Sequence, residues 1–148
     1  FDSAHVGTII RYKGNEILQG ALDNADVLIG HNIKFDITWL RECGFHYDGY
    51  LYDTMVAEYI LASARRWPLS LKVVAEKYGT EKKKDLVDEY IKNGKTFYDI
   101  PYDTIKEYGI ADVEATEKVA ISQLKAFGTT FEELYNDPTT FAHTATIV

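Results

Sequence analysis

One short stretch limits the possible folds more than any other. Val27-Leu28-Ile29 is an apolar run too short for a helix, and it reads as a buried strand. Gly30 ends the run, and a polar turn carrying His31, Asn32 and Lys34 follows. A helical pattern then spans Ile33 to Cys43, with Phe35, Trp39 and Leu40 placed to pack and Gly44 closing its C-terminal end. Asp36 stands where a buried strand gives way to a helix. In α/β folds that junction is the rim of the sheet, where ligands and chemistry collect. An aspartate there can equally be a helix cap, so its meaning depends on what partners the chain supplies.

The remaining pattern is α/β in its first half and helical in its second. Val6–Tyr12 is β-branched and aromatic and predicts a strand, with a turn at Lys13-Gly14-Asn15 and a short helix to about Asn24. Tyr47 to Tyr52 predicts a third strand ending at Asp53, a cap for the helix from Thr54. That helix is expected to turn Met55, Val56, Tyr59, Ile60 and Leu61 inward and to end before Pro68. Ser70 is a suitable N-cap for a helix with Leu71, Val74, Ala75 and Tyr78 on one face, closed by Gly79. A short amphipathic segment follows at Leu86, Val87, Tyr90 and Ile91. Pro101 introduces a long helix from Tyr102 to Phe127, stopped by Gly128. From Thr129 to Val148 no period stands out. The expected organisation is one domain over residues 1–128, with 129–148 a tail or linker.

Composition narrows the function classes. A chain of 148 residues with 46% hydrophobic and 14% aromatic content is ordered and holds one core. Its net charge of −7 argues against bulk attraction to nucleic acid. A polyanion would have to be held by local basic groups or by cations resting on carboxylates. Arg65-Arg66 and Lys82-Lys83-Lys84 would suit a strand-binding rim, but a charge run is more often a wet surface. Cys43, the one cysteine, excludes an internal disulfide and a cysteine-rich zinc site. No apolar run approaches the roughly 18 residues that span a bilayer. The expected setting is cytoplasmic, without a membrane partner.

The partner for Asp36 comes from the last long helix. Ile105, Tyr108, Asp112, Ala115 and Val119 form one stripe, four members suited to burial and one carboxylate. A buried charge is unfavourable unless paired or metal-bound, so Asp112 is the odd residue there. Tyr108 shares its face one turn earlier. Gly109, beside it, weakens the helix by about 1 kcal/mol relative to alanine, which a close approach by a backbone or ligand would explain. Tyr108 can also be read as an ordinary core tyrosine.

Gly30-His31-Asn32-Ile33-Lys34-Phe35-Asp36 resembles the second motif of the DEDD superfamily of 3′–5′ exonucleases, which have a ribonuclease-H-like fold. Tyr108-Gly109-Ile110-Ala111-Asp112 resembles the third motif of the tyrosine subclass, and the 76-residue spacing of the two aspartates fits. Tyr52-Asp53-Thr54-Met55 and Ser70-Leu71-Lys72-Val73-Val74-Ala75 are similar to intervening segments in the proofreading domain of family-A DNA polymerases. The likeness runs from about Asp26 to Leu124. It implies a small mixed sheet flanked by helices and two divalent cations, Mg²⁺ or Mn²⁺, with Asp36 and Asp112 as metal-site carboxylates. It further implies that Tyr108 orients a water, that Asn32 and Lys34 hold the substrate strand, and that the substrate is a single-stranded DNA 3′ end beside a polymerase domain. The setting implied is a bacterial or phage-infected cell.

The superfamily's first motif, Asp-x-Glu, is not found. The sole acid-x-acid pair is Asp112-x-Glu114, which a helix turns to different sides, and Asp2 is followed by Ala4 where glutamate is expected. The opening strands and their acids are expected to lie outside this chain or to have been lost. Two readings follow: a metal-dependent exonuclease, or an exonuclease fold kept as an inactive structural or DNA-binding module. A nucleotide-binding α/β domain is disfavoured, because neither glycine-rich phosphate loop occurs. Trp39 and Trp67 are expected in the core, with Trp67 the better base-stacking candidate of the two.

Overall fold

The structure, a computed structural model, describes residues 13–63, 67–80 and 86–136. The expected strand Val6–Tyr12, Asp2, Arg65-Arg66 and Lys82–Lys84 lie outside these residues. In chain order the elements are α1 (Lys13–Asp23), β1 (Val27–Gly30), α2 (Ile33–Glu42), β2 (Tyr50–Asp53), α3 (Thr54–Leu61) and α4 (Leu71–Lys77). They are followed by α5 (Leu86–Lys92), a short 3-10 turn at Phe97–Asp99, α6 (Tyr102–Phe127) and α7 (Phe131–Asn136).

Among the described residues the sheet is the parallel pair β1–β2, with Val27 opposite Tyr50 and Gly30 opposite Asp53. Both strands therefore end at one edge, and each feeds a helix there. This α/β arrangement, helices around a small sheet, is that expected of a ribonuclease-H-like exonuclease domain. Helix α6 runs across the others and contacts α3, α4, α5 and β1. Its limits follow from sequence: Pro101 occupies the N-cap, and Gly128 adopts φ +71° at the end. There the Gly128 and Thr129 amides reach back to Lys125 and Leu124 oxygens at 3.1 and 3.0 Å, a left-handed stop that glycine adopts without strain.

The core falls into two clusters along α6. Tyr52, Ala57, Ala120, Leu124 and Leu134 pack together, and Val74, Ala75, Ala115 and Val119 form the second. Leu134 belongs to α7, so packing continues past Gly128 into the segment read as tail.

Several expectations on burial are corrected. The inner face of α3 is Thr54, Ala57 and Glu58, whereas Tyr59 is exposed. Glu58 is fully buried and accepts from Tyr78 Oη at 2.8 Å, Gln123 Nε2 at 3.2 Å and Lys77 Nζ. Burial alone would raise this carboxyl, but the three hydrogen bonds outweigh it and hold the group below its ordinary range. Gln123, also buried, donates to the Thr54 carbonyl at 2.9 Å, which pins α6 to the start of α3. Trp39 and Trp67 are half exposed, not core. Ser70 sits at the N-cap of α4, but its side chain makes no capping hydrogen bond. Gly109 is exposed, and among the described residues a Cβ there would meet nothing within 4 Å.

Candidate active site

The strand ends are held by one buried carboxylate. Asp53 caps α3 as expected, with Oδ1 accepting from Met55 and Val56 amides at 2.9 and 3.4 Å. It also reaches across the sheet edge. Asn32 N–H donates to Oδ1 at 3.0 Å and Ile33 N–H to Oδ2 at 3.1 Å. Helix α2 begins with four amides that lack intrahelical acceptors, and Asp53 supplies acceptors at that start from the neighbouring strand. Asn32 takes φ +61°, a left-handed conformation that asparagine tolerates. Gly30 is required for packing, because a Cβ there would stand 2.8 Å from Ile33 Cγ1 and Ile33 is buried.

His31 staples the same turn to the segment before α4. Its Nε2 lies 2.6 Å from the Leu69 carbonyl, which only accepts, so that nitrogen carries the proton. Nδ1 lies 2.9 Å from Thr54 Oγ1. Burial pushes the imidazole pKa down, opposed by the Leu69 bond and by the charges of Asp53, Asp112 and Glu58. The Thr54 hydroxyl, which carries a single proton, stands within reach of both Nδ1 and the Gly30 carbonyl, 3.2 Å away. His31 thus acts in shaping the turn.

Asp36 and Asp112, far apart in sequence, line one cavity of about 620 Å³ together with Gly30, His31, Leu71 and Glu117. Asp36 is exposed to solvent, yet partial burial against the cavity wall, and behind it the charge of Asp53, hold its carboxyl above the ordinary value of 3.8. Its own backbone amide works the other way. Asp112 is half-buried in the middle of α6. Tyr108, one turn earlier, is also half-buried and is not part of this cavity's wall. Asn32 and Lys34 line a neighbouring cavity of about 450 Å³ with Phe35 and Trp39. The predicted residues therefore divide into an acidic pair in one cavity and a polar pair in the next. Glu114 is exposed. Glu117 was not singled out by sequence, because five positions after Asp112 it falls off that residue's helical face, and only the folded cavity brings it in.

The residues matched by the model of a 3′–5′ exonuclease family are 4–124, most of the chain. The chain belongs to this family. It is the exonuclease domain of the DEDD superfamily associated with family-A DNA polymerases. Comparison with curated proteins and with solved structures gave no match. The 3′–5′ exonuclease family works on nucleic acid in a polymerase context and is in general metal-dependent. Two carboxylates in one cavity match the hard oxygen donors that Mg²⁺ and Mn²⁺ prefer. In number they fall short: among the described residues no group of three or more His, Cys, Asp or Glu is arranged to hold an ion. Among the same residues no helix is long and apolar enough to cross a membrane.

Proposed function

We propose that this domain is a proofreading-type 3′–5′ exonuclease that hydrolyses phosphodiester bonds at the 3′ end of single-stranded DNA, in the cytoplasm of a bacterial or phage-infected cell. The observation that carries the reading is the shared cavity of Asp36 and Asp112 in a chain of this family. Asp36 and Asp112 would hold divalent cations, Mg²⁺ or Mn²⁺. Such ions, when bound, make a water nucleophilic at neutral pH and stabilise the leaving oxygen. Tyr108 would orient the attacking water through its phenol. The Asn32 amide and Lys34 ammonium would hold phosphates of the strand, and Asp53, by fixing the Asn32–Ile33 backbone, would keep these groups and Asp36 in register.

A second reading, an inactive module with a structural or DNA-binding role, is favoured by one sequence fact: no Asp-x-Glu pair is present to complete a set of four acids. A polarity assay separates the two. The chain is incubated with Mn²⁺ and single strands labelled at the 3′ or the 5′ end. An exonuclease of this polarity releases labelled mononucleotide at once from the 3′-labelled strand and only late from the 5′-labelled one. Binding without hydrolysis supports the inert module.

A further inference from the structure

The neighbouring cavity contains a feature that the fold does not need. Helix α2 buries Ile33 and Ile37, yet Phe35 and Trp39, one turn apart, are 62% and 50% exposed. Their rings lie 6.3 Å apart at 66°, edge to face. In such a pair the ring offering its edge keeps both of its own faces clear of its partner. Asn32, Lys34, Thr38 and Glu42 complete the walls, so the aromatic surface lies beside a cation and an amide.

We propose that the Phe35–Trp39 groove is a base-stacking subsite for an unpaired nucleobase of the same strand whose terminal phosphodiester enters the Asp36–Asp112 cavity. This rests on the exonuclease reading above. Three observations favour a nucleic-acid strand as the occupant. The groove and the acidic cavity draw on the same turn and helix: Asn32 and Phe35 of the groove directly follow and precede His31 and Asp36 of the cavity, and Trp39 follows Asp36 by three positions on α2. The same residues that frame it, Asn32 and Lys34, suit a phosphate. An aromatic face receives any base, as a nuclease working along a strand of varied sequence requires. Trp39 and Phe35 would be positioning residues, acting on the strand's register and not on the reacting atoms.

The test is binding of a 5′-labelled oligothymidylate, followed by anisotropy without divalent metal so that no hydrolysis occurs. Stacking of one base predicts that Trp39→Ala weakens binding about fivefold or more and that Trp39→Phe recovers most of it. An abasic site is then stepped along the strand from its 3′ end. At one position it should weaken wild-type binding by a similar factor and leave Trp39→Ala unaffected. A Trp67→Phe variant leaves Trp39 as the sole tryptophan reporter, and its fluorescence should be quenched by the strand even where Trp39→Ala cannot be prepared. Unchanged affinity in Trp39→Ala, or an unquenched Trp39, overturns the subsite, while 3′-end hydrolysis would still stand. Failure of the folded wild type to bind any single strand overturns the subsite, while the nuclease reading is decided separately by release of the 3′ label.

Discussion

The Asp53 carboxylate accepts the backbone N–H of Ile33 at 3.1 Å, which ties the end of one parallel strand to the start of the helix that carries Asp36. The same side chain takes the Asn32 amide and the first amides of α3. One buried group thus fixes the geometry of both strand–helix junctions. Asp53→Asn keeps one oxygen but turns an NH₂ toward an amide donor. It should destabilise the domain by about 1–3 kcal/mol in urea denaturation, and Asp53→Ala by at least as much. Wild-type stability in both variants would remove Asp53 from this role.

Gly109 offers the opposite expectation. It lies in the interior of α6, exposed, and among the described residues nothing stands where a Cβ would go. Gly109→Ala should stabilise the domain by about 1 kcal/mol through helix propensity alone. A loss of stability on denaturation would show that something does approach this position.

Glu58 makes stability depend on pH. Its folded carboxyl is held below the ordinary value of 4.5 by hydrogen bonds from Lys77, Tyr78 and Gln123. Between the folded and unfolded values the unfolded chain binds more protons, so stability falls as pH falls. The contribution is fully present above about pH 4.5 and is lost on acidification through the folded value. Urea midpoints measured downward from pH 7 should drop across that window. In Glu58→Gln, which cannot ionise, the drop should be smaller. An equal drop in both proteins would locate the acid sensitivity elsewhere.

These buried polar groups mark where sequence reading stops. The limits of α6 were legible because Pro101 and Gly128 act through local backbone rules. The Asp112 stripe was legible because Ala115 and Val119 share its helical period. Glu58 and Gln123 were not, since a glutamate and a glutamine go inside only when other elements bring them donors and acceptors. The exposure of Trp39 was hidden for a related reason. Helical spacing groups Phe35 with Trp39, but which face meets the sheet is decided by Ile33 and Ile37 packing in three dimensions. Asp53 was readable as a cap from its place before Thr54, whereas its reach to Asn32 needed the parallel register of Gly30 against Asp53.

On the proposed function, Asp36 should set the acid side of activity. Burial and the Asp53 charge raise its carboxyl above 3.8. The ionised form is the one that holds a cation, so activity should fall as pH drops through this raised value, at higher pH than an ordinary aspartate would allow. For stability the sign is reversed: this group favours the folded state at low pH and loses that effect as pH rises through its folded value. Because cation and proton compete for one carboxylate, more Mg²⁺ should move the acid limb of the kcat/KM profile to lower pH. A limb that ignores Mg²⁺ concentration would exclude Asp36 as the titrating ligand.

The pairing of Asp36 with Asp112 is tested most directly by mononucleotide release from 3′-labelled single-stranded DNA with Mn²⁺, comparing the wild-type chain with Asp36→Ala and Asp112→Ala. Each carboxylate should be worth several kcal/mol of transition-state stabilisation, so each variant should lose at least about a hundredfold in kcat while remaining folded. Either variant hydrolysing at the wild-type rate would contradict the assignment.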